Sequence, residues 1–168
     1  MGVNGLGRVF DVCTQIIPVD LGTAANTGHR IDMKNYDSVA FVAMFAVGTA
    51  GEAPTITLQE HTALTGGTST DLVVIDTFYS KVEATLDGDE AWTKVTQTAA
   101  ATITDATWDD AGQELVVFEV HADQLSDGYD WLSCNIADTG TAQLGTMLAI
   151  PFNLRVQRTP ANLPQPNA

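Results

Sequence analysis

The chain has 168 residues, a length that suits one domain and can bury a sizeable core. With 45% hydrophobic and only 17% charged residues it is a globular rather than a disordered chain. Its 21 acids against 7 bases give a net charge of −14, a surface that repels nucleic-acid backbones and anionic lipids, so neither nucleic acid nor a membrane is expected as a partner.

Residues 1–15 begin with Gly2, Gly5 and Gly7 among small polar residues and read as an N-terminal arm. Whether Arg8 to Thr14 forms a helical turn or joins the first strand is open in the sequence. Ile16 to Leu21 is a short predicted strand, which Pro18 confines to an edge or a bulge. A small-residue loop over 22–28 follows, then a second short strand over 29–33 with Ile31 and Met33 inward. Ser38 to Val47 is the longest apolar run, bracketed by Asp37 and by a Gly48–Gly51 turn. Read with period two, both of its sides are apolar. That predicts a central strand covered on both faces, with a helix as the competing reading.

Thr55 to His61 alternates cleanly, with Ile56 and Leu58 on one side. A loop over 62–70 carries Gly66 and Gly67 at its tip. Leu72 to Val82 is strand-like, with Leu72, Val74, Phe78 and Val82 as core positions. Asp87 to Glu90 is a turn, Trp92 to Thr98 a strand that residues 100–104 continue or replace, and 105–112 an acidic loop containing Trp108. Glu114 to His121 is the second strongest strand, residues 122–126 are the best short-helix candidate, and Leu132, Cys134 and Ile136 share a face in the next strand. The last strand runs over 143–156, bent or interrupted at Pro151. Residues 157–168 hold Pro160, Pro164 and Pro166 without apolar period and read as an extended tail. Nine or ten evenly spaced strands with almost no helix predict an all-β fold, an antiparallel β-sandwich or jelly-roll-like barrel. One β domain over 16–156 lies between the arm and the tail.

The sequence shows no catalytic constellation, and the chain is expected not to be an enzyme. His29, His61 and His121 have no metal-ligand spacing and read as surface or strand-end residues. There is no nucleophile elbow, phosphate loop or dinucleotide fingerprint, so no catalytic residue, cofactor or metal is assigned. Cys13 and Cys134 read as buried free thiols, with a disulfide left open. Acidic loops at 87–90, 105–110 and 127–130 carry turn-forming and solubilising charge, with calcium as the alternative. Trp92, Trp108 and Trp131 are rim or oligomer contacts, or alternatively a sugar platform. Residues 1–12 carry no signal-peptide pattern and no stretch is transmembrane, so a soluble cytoplasmic product is expected.

Five segments in order, Leu6 to Val12, Tyr36 to Val42, Thr55 to Glu60, Trp92 to Gln97 and Tyr129 to Asp138, resemble the head decoration, or cement, proteins of tailed bacteriophages. The resemblance implies a structural virion protein on the capsid exterior, made in the bacterial host cytoplasm. It would bind the major capsid protein and bridge neighbouring capsomers as a homo-oligomer, with a trimer favoured. Contacts are expected at the arm, the tail and one loop: Leu6, Arg8, Phe10, Gly66, Gly67, Arg158, Pro160, Leu163 and Pro164. The alternative is a carbohydrate-binding module, a tail-associated adhesin or another head–tail structural protein.

Overall fold

The alternation of apolar and polar residues becomes twelve strands among residues 5–109 and 112–163, which the computed structural model describes. In chain order they are β1 (Cys13–Asp20), β2 (Asn26–Thr27), β3 (Ile31–Asp32), β4 (Tyr36–Phe45), β5 (Ile56–His61) and β6 (Ser69–Asp71). There follow β7 (Ile75–Glu83), β8 (Thr93–Ala100), β9 (Thr102–Ile103), β10 (Gln113–His121), β11 (Trp131–Ile136) and β12 (Leu144–Leu154). One six-stranded sheet has the order β1-β12-β4-β10-β7-β8. The other has β2-β11-β5-β6, with β3 also on β11 and β9 also on β5. Every strand pairing is antiparallel. The protein is an all-β sandwich, and its sheets do not close into a barrel: β1 and β8 are edges of the larger one.

The core is the meeting of the two inner faces. Val39, Phe41, Ala43 and Phe45 of β4 meet Ile56 and Leu58 of β5 and Leu132, Cys134 and Ile136 of β11 in one buried cluster. Phe41 stacks on Phe118 with centroids 5.2 Å apart. Cys13 and Cys134 are both buried free thiols, and burial pushes Cys13 up to about 12, so neither is a nucleophile at neutral pH.

Pro18 sits on an edge strand whose pairing with β12 is shifted on both sides of Ile16, as its missing N–H requires. Pro151, expected to bend or interrupt the last strand, lies inside an unbroken β12. Its carbonyl accepts the Asp11 N–H, so its nitrogen points the same way, beyond the Cys13–Ala149 end of the β1 ladder. The short helix expected over 122–126 is a 3₁₀ turn, Ala122–Gln124. The strand expected over 72–82 starts only at Ile75, as β7, and β6 forms at the end of the stretch expected as a loop, with Leu72 buried between the two.

β1 begins at Cys13, inside the stretch read as an arm. Before it, residues 5–10 turn on themselves through Gly7 N–H to Phe10 O and Val9 N–H to Gly5 O. The segment is tied into the fold where Tyr36 donates to Asp11 Oδ2 at 2.9 Å, both residues buried.

Gly145 of β12 is closely packed by Leu21 and by Phe45 of the neighbouring β4. A Cβ there would collide with Leu21 Cδ1 and lie 3.0 Å from Phe45 Cδ1. Gly145→Ala is expected to cost about 1–3 kcal/mol, read as a lower urea midpoint at unchanged slope.

Candidate functional site

β4 is central, between β12 and β10, but only one of its faces is covered. Its inward residues Val39, Phe41, Ala43 and Phe45 are at most 1% exposed. On the other side Ala40 and Val42 are half-buried and Met44 is 50% exposed. The expectation of a strand covered on both faces is therefore corrected. The second sheet covers one face, and on the other Met44 is left half exposed.

Registers carry this outer face across the sheet. One row runs Tyr79, Val117, Val42, Leu148, and the next runs Lys81, Leu115, Met44, Thr146. Tyr79 and Leu148 are exposed, while Leu115 and Val117 are half-buried. Exposed Leu144 lies at one end of β12. Two shallow cavities mark the face. One, of about 310 Å³, is lined by Pro18, Met44, Leu86, Leu144 and Thr146 among others. The other, of about 270 Å³, is lined by Tyr79, Trp92 and Val117. Lys81 places Nζ 5.0 Å from the Trp92 ring centroid and 4.0 Å from Glu90.

Charged side chains on or beside this face are Lys81 and Lys94 against Asp76, Glu83, Glu90 and Glu119. The whole chain carries −14. The outer face is thus an exposed apolar area on an acidic molecule, the kind of surface that marks a partner-binding site.

The expected contact residues fall into two separate groups. Leu6, Arg8 and Phe10 are brought to Arg158 and Pro160, because Arg158 N–H donates to Gly7 O at 2.8 Å and Phe10 bridges to Phe152. Gly7 has φ of +80°, and a Cβ on it would strike Arg158 O, so a glycine is needed where the two ends cross. Leu6, Arg8, Arg158 and Pro160 are exposed, and Phe10 and Leu163 half-buried. Pro164 lies outside the described residues. Gly66 and Gly67 are exposed with φ of +66° at the tip of the β5–β6 loop. There Arg30 holds the loop through the carbonyls of Ala63 and Gly66, at 2.6 and 2.7 Å. The outer face was not among the expected contacts. Its signal was the even-numbered apolar set of β4, which was read as buried.

His61 is not a surface histidine. It is 3% exposed, with Nδ1 2.8 Å from Ser69 Oγ and Nε2 2.8 Å from Ser133 Oγ. Burial first, then the Arg30 charge, hold its pKa down at about 4, against a smaller opposing pull from Glu60. The ring is neutral at pH 7, and both nitrogens are engaged by hydroxyls inside the fold. His29 and His121 are exposed, the latter with Nδ1 2.8 Å from Ser38 Oγ.

The three tryptophans are not one platform. Trp108 is 1% exposed and packs on Phe45 and Phe78, with centroids 6.3 and 5.7 Å away. Trp92 is exposed beside β8 and Trp131 half-buried in the other sheet. Of the acidic loops, Asp87, Asp89 and Glu90 each bring one oxygen to within 4.8 Å of the others. Glu90 is also used by Lys81 and by the N–H groups of Asp87 and Gly88. Asp130 pairs with Lys34 at 2.9 Å, and Asp105 accepts from Thr107. No helix among the described residues is long and apolar enough to cross a membrane.

No family model matches the sequence, and no curated protein matches it. Solved structures are similar to it at low identity. The SPBc2 prophage-derived protein YomS is 9% identical over 84% of this chain and 91% of its own, with a TM-score of 0.43. A chain from Bacillus endospore appendages, described as disulfide-linked pili, is 11% identical over 92% of this chain and 96% of its own, with a TM-score of 0.33. The exoplasmic/lumenal domain of VIP36, in its Ca2+/Man3GlcNAc-bound form, is 14% identical over 95% and 90%, with a TM-score of 0.32. At these values the similarities carry no argument about what this chain binds.

Proposed function

We propose that this chain is a structural virion protein that binds the outer surface of a tailed-phage capsid and stabilises it by bridging neighbouring capsomers. The observation that carries the reading is the exposed apolar face of the six-stranded sheet. A chain of −14 net charge has little reason to keep Met44, Leu144, Leu148, Tyr79 and Trp92 in water unless a partner covers them. Bridging takes two contact surfaces. The second is the clasp of both termini, where Leu6, Arg8, Arg158 and Pro160 stand exposed at a place set by the Gly7–Arg158 hydrogen bond. Threonine-rich strands have few long side chains to immobilise, which lowers the entropy lost on assembly. The major capsid protein is the proposed partner and a homo-oligomer, trimer favoured, the proposed assembled form. No catalytic step, cofactor, nucleic acid or membrane enters this role.

The test is co-sedimentation with assembled shells of the major capsid protein. Met44 is half exposed and Leu148 exposed, so M44E/L148E should leave the thermal midpoint within a few degrees of wild type while weakening shell binding at least tenfold. Unchanged binding by the folded double variant would remove the outer face from this role.

A further inference from the structure

We propose that Glu114 is held as a neutral carboxylic acid exchanging two hydrogen bonds with the Gln143 side-chain amide, and that this pair is a pH-sensitive clasp at one end of the sandwich. The inference does not depend on the capsid reading.

Glu114 shares its parity in β10 with Val116, Phe118 and Val120, so it points into the core, where it is 1% exposed. An ionised carboxylate there would need a cation or several donors. The ion pairs among the described residues, Lys34–Asp130, Lys81–Glu90 and Arg155–Asp37, do not include it. Its one donor among the described residues is Gln143 Nε2, at 3.5 Å from Oε2, and that amide already donates to Ala46 O at 3.0 Å. Two buried oxygens are left without a partner, Glu114 Oε1 and Gln143 Oε1. One proton on Glu114 resolves both. The protonated oxygen donates to the amide carbonyl while the other accepts from the amide nitrogen, the cyclic arrangement open to any acid–amide pair. Gln143 is packed closely over Gly48, where a Cβ would lie 2.8 Å from its Cδ.

Phe45 of β4 and Val82 of β7 lie opposite Glu114, and Gly145 of β12 lies beyond Phe45; none of them titrates. Lys81 and Glu83, beside Val82, are on the outer side of β7, and Lys81 pairs with Glu90. The charged group on the Gln143 network is Asp20, whose Oδ1 accepts the Gln143 N–H at 3.1 Å, while Gln143 O accepts from Leu21. The clasp therefore joins the ends of β1 and β4 to the starts of β10 and β12. Burial pushes the Glu114 carboxyl up to about 8, so the proton stays at neutral pH. When it leaves to bulk water at higher pH, two oxygens with no hydrogen between them face each other, and this end loosens beside the cavity lined by Met44 and Leu144.

The sign follows from where the proton is held. Below about pH 4.5 folded and unfolded chains are both protonated at this position. Between there and about 8 only the unfolded chain ionises, so stability falls with rising pH by up to tenfold in the folding constant per unit. Glu114→Gln replaces the acid by an amide that makes the same two bonds at every pH. In urea unfolding of the full chain from pH 5 to 8.5, the folding constant of the variant divided by that of wild type should rise at least a hundredfold and then level. A constant ratio would overturn the proposal. Should the variant not fold, side-chain carboxyl NMR of the wild type decides: Glu114 should keep its protonated chemical shift to pH 7, and titration together with the surface carboxylates would overturn the proposal.

Discussion

Trp108→Ala is expected to lose about 3–5 kcal/mol of folding stability, most of what a chain of this size has to lose. The indole is 1% exposed and wedged edge-on against Phe78 and tilted against Phe45, so truncation leaves a cavity that two large rings cannot fill. Trp108→Phe should behave differently. The buried indole N–H has no partner among the described residues, and removing it relieves a desolvation cost of about 1–3 kcal/mol that offsets the lost ring volume. The Phe variant is therefore expected within about 1.5 kcal/mol of wild type. Urea midpoints with unchanged slopes check both. A Trp108→Ala midpoint near wild type would mean that the 106–109 turn is not part of the core.

Acid should weaken the fold through His61. Above its usual value of 6.5 the imidazole is neutral in the folded and unfolded chains alike. Between 6.5 and about 4 the unfolded chain takes up the proton and the folded chain does not, so the stability present at neutral pH is lost as pH falls. The loss from this group is about 3 kcal/mol and stops once the folded chain is protonated too. Protonation also removes the acceptor nitrogen, turning one of the two serine contacts into a donor facing a hydroxyl that must reorient. His61→Gln keeps a donor and an acceptor but cannot titrate. Its unfolding free energy, measured at pH 7, 6, 5 and 4, should fall by about 3 kcal/mol less than that of wild type. Parallel acid limbs would show that His61 is already protonated or solvated in the fold. His61 lowers stability as pH falls below 6.5 and Glu114 lowers it as pH rises above about 4.5, so between these values the two effects oppose each other.

These two residues show why burial of polar groups was illegible in the chain. His61 falls on the outward parity of β5, with Thr55, Thr57 and Gln59, and local alternation assigns it to water. It is buried because Ser69 of β6, Ser133 of β11 and the Arg30-held loop close over it, and these contacts come from residues 8, 72 and 31 positions away in sequence. Trp108 sits in an acidic stretch with loop composition, and nothing local says that the turn Ala106–Asp109 points inward. Glu114 opens an alternating strand as if it were a capping charge. Its parity with Val116, Phe118 and Val120 points it inward, but that this end of β10 is covered follows from the fold.

What the chain alone determined is the class of fold and most of its strands. Period-two alternation, turn residues between the runs and the near-absence of helical spacing leave an antiparallel sandwich as the way to bury Val39, Phe41, Val116 and Phe118. Pro18 could be placed on an edge because a missing N–H has the same consequence in any sheet. The tertiary structure alone decided which faces are covered. The side of β4 carrying Ala40, Val42 and Met44 is as apolar as a buried one. Whether a second layer lies over it depends on where the other sheet packs, a property of the whole chain rather than of ten residues. The same holds for the terminal clasp. Residues 7 and 158 are joined because β1 and β12 are neighbours, and neither end encodes its partner by itself.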